Sequence, residues 1–261
     1  MAKQDYERDW DKLPIKYLIL SSKERYCVFI DHDNDLDWKT SDTFDSTELT
    51  PDVIKDFYQV KNEIDSVESI PCDHLDEKVI ITFKRQVGEA LVRALERDFG
   101  NAKGMIEKAK EYIVKRNTEE SRFMYLTSSG LTTLVFIIIG IVFWVVRYCL
   151  INVIGETVFY LLLSSFLGSI GAFLSIIMRV GKTSLDFNAS RKLHYLEGAS
   201  RIMAGIISGF LVSLSIKSGI LFPIYSKIGS IHIAMLLGGL IAGSSERFAP
   251  SIISKLDEQK V

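Results

Sequence analysis

Between Phe123 and Ser245 four apolar runs follow one another with little between them. A bilayer core about 30 Å thick takes roughly 20 apolar residues in a helix, so windows of that size without charge decide where such a chain sits. They lie between Arg122 and Arg147 (FMYLTSSGLTTLVFIIIGIVFWVV), between Glu156 and Arg179 (TVFYLLLSSFLGSIGAFLSIIM) and between Lys227 and Glu246 (IGSIHIAMLLGGLIAGSS). The remaining run, IMAGIISGFLVSLSIKSGILF, is interrupted only by Lys217. The expected fold is therefore a four-helix transmembrane domain, all α, preceded by a small soluble α+β domain. Residues 1–100 read as the α+β domain, 101–122 as a connecting helix, 123–251 as the membrane domain and 252–261 as a tail.

Charged residues make up 25% of the chain, an ordinary soluble value that hides a charge-rich first half and a nearly uncharged second half. The net charge of -2 points to no nucleic-acid partner. Cys27, Cys72 and Cys149 are odd in number, far apart and form no CxxC pair, which argues against a disulfide framework or a zinc site. The opening MAKQDYERDWDKLP has no apolar signal core, so the soluble half is expected on the side of synthesis.

In that half, Ile15 to Leu20 and Tyr26 to Asp31 are short β-rich runs separated by SSKER, a hairpin pattern. A long acidic loop is expected next. Thr50-Pro51-Asp52 then supplies a cap, a first-turn proline and an early acid for a helix to about Val67, with Val53, Ile54, Phe57, Tyr58 and Ile64 at helical spacing. The run KVIITF, Lys78 to Phe83, reads as a third strand, and Val87, Leu91, Leu95 and Phe99 as a further helix ending near Gly100. From Ala102 to Arg122 a stripe of Ile106, Ala109 and Ile113 continues without proline or glycine after Gly104 into the first membrane window. One helix running through both stretches would pass movement on as tilt or rotation rather than absorb it in a slack linker. A plain juxtamembrane helix is the alternative.

Lys108, Lys110, Lys115, Arg116 and Arg122 precede the first window, and Arg179, Lys182, Arg191, Lys192 and Arg201 lie between the second and third. The opposite loops carry only Arg147 and Lys227, so the positive-inside rule puts both termini in the cytoplasm. Trp144, Tyr148 and Tyr225 then fall at the outer interface.

Lipid gives helices little hydrophobic reason to associate, so close packing has to come through small residues. Ser164, Gly168 and Ala172 recur every fourth residue in the second window, Gly205, Gly209 and Ser213 in the third, and Ala234, Gly238 and Ala242 in the fourth, with Gly239 and Gly243 beside them. The first window lacks such a row and is expected to face lipid. Two uses of the rows stand, packing within the chain and self-association into a homo-oligomer. Lys217 extends the third row and is a candidate pore or gate residue, or else a lysine snorkelling to the outer interface, about 24 Å along from Arg201 at 1.5 Å per residue. His232 lies at a similar level and reads as an interfacial polar residue.

Asp31, Asp33, Asp35 and Asp37 alternate as in an EF-hand loop, but Leu36 stands at the glycine position and Asp42 at the final glutamate position, which favours a solvated loop. Gly181-Lys182-Thr183 resembles a P-loop end, with Ile176 in place of its first glycine. No Ser/His/Asp set or HExxH is present, so neither enzyme activity nor a cofactor or metal is expected.

The stretch SGFLVSLSIKSGILF, followed by a span closing in Ser245-Glu246-Arg247-Phe248-Ala249-Pro250, resembles a loose group of uncharacterised bacterial multi-pass membrane proteins with a Ser-Glu-Arg-Phe-x-Pro ending. The resemblance covers the membrane half and implies a role like that of antiphage defence effectors. Glu246 and Arg247 fall at the cytoplasmic mouth of the fourth window, placed to pair with the basic middle loop or a neighbouring subunit, or simply to stop the span. The expected function is an inner-membrane protein whose cytoplasmic domain senses an unknown ligand or protein partner and controls an oligomerising membrane domain that permeabilises the bilayer. A constitutive channel or transporter, and an anchor recruiting a cytoplasmic partner, are the alternatives.

Overall fold

A computed structural model describes residues 10, 12–22, 25–45, 50–181, 191–220 and 230–245, and the chain divides into two compact units, Met1–Glu120 and Ser121–Val261. The first unit is built on a three-stranded antiparallel sheet, β1 (Tyr17–Ser22), β2 (Tyr26–Ile30) and β3 (Leu36–Thr40), in that order. Tyr17 pairs with Ile30 and Ser22 with Tyr26 across the expected hairpin, and Ile30 pairs with Leu36 on the other side. All five residues of the central strand are buried, which explains why YCVFI is apolar without alternation. Tyr26 and Val28 join the helix-covered core, while Cys27 and Phe29 pack with Trp10.

The third strand is not where the β-branched run predicts it. Lys78 to Phe83 lies inside a helix, and β3 occupies the stretch read as an acidic loop. The reason is visible in the faces. Leu36 is buried and Trp38 and Thr40 half-buried, while Asp37 and Lys39 are exposed, a period of two that the charges obscured. Asp31 makes the preceding turn, its Oδ1 accepting the backbone N–H groups of Asp33 and Asp35 at 2.9 and 2.8 Å.

Helix α1 (Asp42–Asp45) is a single turn, and α2 (Pro51–Glu68) begins at the expected proline. Thr50 has the extended backbone of a cap, but its hydroxyl makes no capping bond. Helix α3 (Glu77–Leu95) buries Phe83, Val87, Leu91 and Leu95 along one stripe, together with Lys84, Gly88, Ala90 and Ala94. That stripe continues through the β-branched residues at helical spacing, and core packing overrides their strand propensity. A side chain at Gly88 would meet the Cδ1 ends of Ile19 and Leu36, so a methyl group there would displace two flexible side chains where α3 approaches the sheet.

Helix α4 runs unbroken over 47 residues, Phe99–Val145. Its first turns belong to the core of the N-terminal unit through Ala102, Ile106, Ala109 and Ile113, the stripe legible in the sequence. Asn117 Nδ2 donates to the Pro71 carbonyl at 2.9 Å.

In the second unit α4 is followed by α5 (Arg147–Ile154), α6 (Glu156–Arg179), α7 (Arg191–Lys217) and α8 (Ile231–Ser244). The connection expected as a simple loop is thus a short helix, closed at Gly155, whose φ of 83° suits glycine. Helices α4, α6 and α7 are long and apolar enough to cross a bilayer. Helix α8 is apolar but has 14 residues, about 21 Å at 1.5 Å per residue, so the expected fourth span is shorter than a hydrocarbon core. The apolar window of α4 is 17% buried within the protein, against 50% for α6 and 39% for α7, which leaves α4 the most exposed of the three.

Candidate functional site

The small-residue rows meet where α6, α7 and α8 come together. A side chain on Gly168 of α6 would collide with the Gly205 carbonyl oxygen and lie 3.3 Å from Gly209 Cα, both on α7. One on Gly209 would lie 3.2 Å from both Gly168 Cα and the Ser164 carbonyl. Backbone therefore rests on backbone, the close approach that drives helix association in lipid. Ala172 is buried beside Gly205.

Helix α8 approaches α6 tightly at three places, Gly239 against Ser164, Gly243 against Gly168 and the Leu240 carbonyl against Gly171. The neighbouring row is placed differently: Ala242 is buried, Ala234 is half-buried, and a side chain on Gly238 would meet the flexible end of Ile216. Ser164 and Ser213 hydrogen-bond to each other, and their hydroxyls reach the Met235 carbonyl at 2.7 and 2.9 Å. Each hydroxyl carries one proton, so one donates to that carbonyl while the other donates to its partner. This polar node ties three helices at one level. A second link runs from Ser128 of α4, whose hydroxyl donates to the Tyr195 carbonyl of α7 at 2.6 Å.

Lys217 is exposed and ends α7. His232 stacks on Tyr160 with centroids 4.0 Å apart, its Nε2 3.7 Å from Glu156. Glu246, Arg247, Lys182 and Thr183, with most of the Ser-Glu-Arg-Phe-x-Pro ending, lie outside the described residues. A cavity of about 210 Å³ is lined by Ala172, Gly205, Arg201, Ser208 and Ser245. His194 went unremarked in the sequence, yet it is 2% exposed and neither ring nitrogen has a hydrogen-bond partner among the described residues. The signal was its spacing, one turn before Gly198 and two before Ile202 on the buried face of α7.

In the N-terminal unit the acidic run is divided among structural tasks. Asp31 closes its turn, Asp37 Oδ1 accepts the Trp38 N–H at 2.9 Å, and Asp35 stands 3.4 Å from Lys84 Nζ. Lys84 also meets Glu68 at 3.0 Å. Sequence reasoning missed this buried lysine because KVIITF was read as a strand. As a helix, position 84 shares the face of Val87, Gly88 and Leu91. Burial pulls its ammonium down, but the hydrogen bond and charge of Glu68, then Asp35, outweigh it and the net shift is upward. Burial, then the 2.7 Å bond to Glu96, likewise raises the Tyr26 phenol.

Both groups hold their protons more tightly folded than unfolded, so their stabilisation is complete below the ordinary values of 10.0 for Tyr26 and 10.5 for Lys84 and is lost as pH rises beyond them. Alkaline titration followed by circular dichroism should show the N-terminal unit losing stability above about pH 10, with a shallower fall in Tyr26→Phe. An identical fall in that variant would rule out the phenol.

Also in this unit, Trp38, Phe44, Phe57, Tyr58, Arg97 and Phe99 line a pocket of about 360 Å³, within the range of small-ligand sites. Among the described residues no three His, Cys, Asp or Glu side chains gather where they would share a metal ion.

Three apolar helices of spanning length and a separate sheet-containing unit define the class: this is a membrane protein with an N-terminal α+β unit. No protein-family model matches the chain, and neither a curated protein nor a solved structure matches it.

Proposed function

We propose that the chain is an inner-membrane protein with four spans and both termini in the cytoplasm. Its N-terminal unit senses a ligand or protein partner and controls a membrane unit that self-associates and makes the bilayer leaky, as an antiphage defence effector does. The observation that carries this reading is α4, one 47-residue helix whose first turns are core residues of the N-terminal unit and whose last turns are an apolar span. A change in how those first turns pack would be passed along a continuous helix instead of being lost in a linker. The apolar window of α4 is the least buried of the three within the chain, which leaves its face to lipid or to another copy. The basic residues flanking α4 and α7 support the orientation, and the role rests on the resemblance of the C-terminal stretch to a loose group of uncharacterised bacterial multi-pass membrane proteins, a kind of protein that includes defence effectors.

The test is membrane potential in cells expressing the full chain beside cells expressing residues 1–122 alone. Depolarisation is expected with the full chain only, either on expression or on phage challenge. A potential and growth rate unchanged in both conditions would sink the permeabilising role and leave an anchor.

A further inference from the structure

Helix α2 carries more apolar surface than its core needs. Val60, Ile64 and Val67 are its buried residues, whereas Ile54 is 39% and Tyr58 58% exposed. With Val53 and Phe57 they line the pocket whose other walls are Trp38 of β3, Phe44 of α1 and Phe99 of α4. Five aromatic rings around about 360 Å³ make faces on which a flat ring stacks.

One cation lines the pocket and two more stand against its rings. Arg97 lines the pocket, Lys61 Nζ stands 5.0 Å from the Trp38 ring centroid, and the Arg25 guanidinium stands 5.4 Å from that of Phe44. Among the described residues none of the three has an ion-pair partner. The adjoining carboxylates are already engaged, Glu96 by the Tyr26 hydroxyl and Asp98 by Asn101, each at 2.7 Å.

Arg97 also occupies a position that favours a different residue. Its N–H donates to the Ala94 carbonyl at 3.0 Å and that of Asp98 to the Arg93 carbonyl at 2.9 Å, which is the helix-ending turn whose left-handed residue is most often glycine. Arginine holds this place at φ 67°, so the backbone carries strain that glycine would not. The strain places a guanidinium beside the aromatic walls.

We infer that this pocket binds a planar aromatic anion of mononucleotide size, its ring against Trp38, Phe57 and Tyr58 and its anionic group on Arg97. A guanidinium grips phosphate or carboxylate through paired N–H donors, and stacking supplies the rest. The assignment names the ligand class for the sensing unit and rests on that reading for its consequence, but binding is measured apart from any effect on the membrane.

The full chain in lipid nanodiscs would be titrated calorimetrically with the four ribonucleoside 5′-monophosphates, with adenosine as ring without anion, and with ribose 5-phosphate as anion without ring. At least one nucleotide should bind, and adenosine and ribose 5-phosphate should each bind about tenfold more weakly or worse. Arg97→Gly should weaken nucleotide binding about tenfold while its melting temperature holds or rises, because glycine suits the left-handed turn. The inference is overturned if no nucleotide binds, if ribose 5-phosphate binds as tightly as the nucleotide, or if Arg97→Gly leaves the affinity unchanged. Nucleotide binding by a protein that never depolarises cells would sink the permeabilising role and leave this site standing.

Discussion

Gly243→Ala is expected to destabilise the membrane unit by roughly 1–3 kcal/mol, the range for forcing an extra methyl into a packed interior. The added carbon would collide with the Gly168 carbonyl oxygen and lie 2.7 Å from its carbon and 2.8 Å from Gly168 Cα. All of these are backbone atoms of α6, so no rotamer change relieves the clash. Helices α6 and α8 would have to move apart, and the bond from the Ser164–Ser213 hydroxyl pair to the Met235 carbonyl would lengthen with them. Gly140→Ala is the control, because its new carbon would meet the Phe166 side chain at 3.6 Å, an ordinary contact. Unfolding in mixed micelles on titration with dodecyl sulfate, followed by helical circular dichroism, separates the two. Equal midpoints for both variants would mean that α6 and α8 do not pack in this way. Gly168→Ala should be destabilising in the same range but through a different helix pair, because its new carbon would collide with the Gly205 carbonyl oxygen of α7.

Lys84→Ala is expected to destabilise the N-terminal unit by roughly 2–3 kcal/mol, below the full penalty for breaking a buried pair because Glu68 retains some solvent. The side chain of Lys84 is 8% exposed and that of Glu68 22%, while Asp35, at 74%, contributes little. Lys84→Met keeps most of the volume and should cost about 1 kcal/mol less than alanine, since it avoids the cavity. Glu68→Gln provides the complementary measurement, leaving a buried ammonium without its nearer carboxylate. Thermal unfolding of the full chain by near-ultraviolet circular dichroism reports all three. If Lys84→Ala melts with the unaltered protein, the ion pair is not part of the folded core.

The hairpin was legible because Tyr26 to Ile30 is a short β-rich run beside a turn, and α2 because Pro51 stands at its start. The inward stripe of α4, Ile106, Ala109 and Ile113, was equally plain, since helical spacing needs no knowledge of the partner. Assigning Lys78 to Phe83 to a strand failed for the opposite reason. Five consecutive β-prone residues, Val79 to Phe83, look alike in either state, and only the packing of Phe83, Val87 and Leu91 against the sheet selects the helix. Trp38 was hidden by its charged neighbours, and the pocket beside it joins β3, α1, α2 and α4, which no single stretch of sequence brings together.

By itself, the sequence determined that this chain enters a membrane and where its long helices run. Backbone groups in hydrocarbon must bond within their own segment, so an apolar run of sufficient length has helix as its outcome whatever surrounds it. On α8 the tertiary structure alone decided which side meets a neighbour. Ala234-Gly238-Ala242 and Met235-Gly239-Gly243 are adjacent rows on α8, and turning the helix by one residue, about 100°, exchanges them without changing its composition or its burial in lipid. The fit of Gly239 and Gly243 against Ser164 and Gly168, where a methyl group more would not pass, makes that choice.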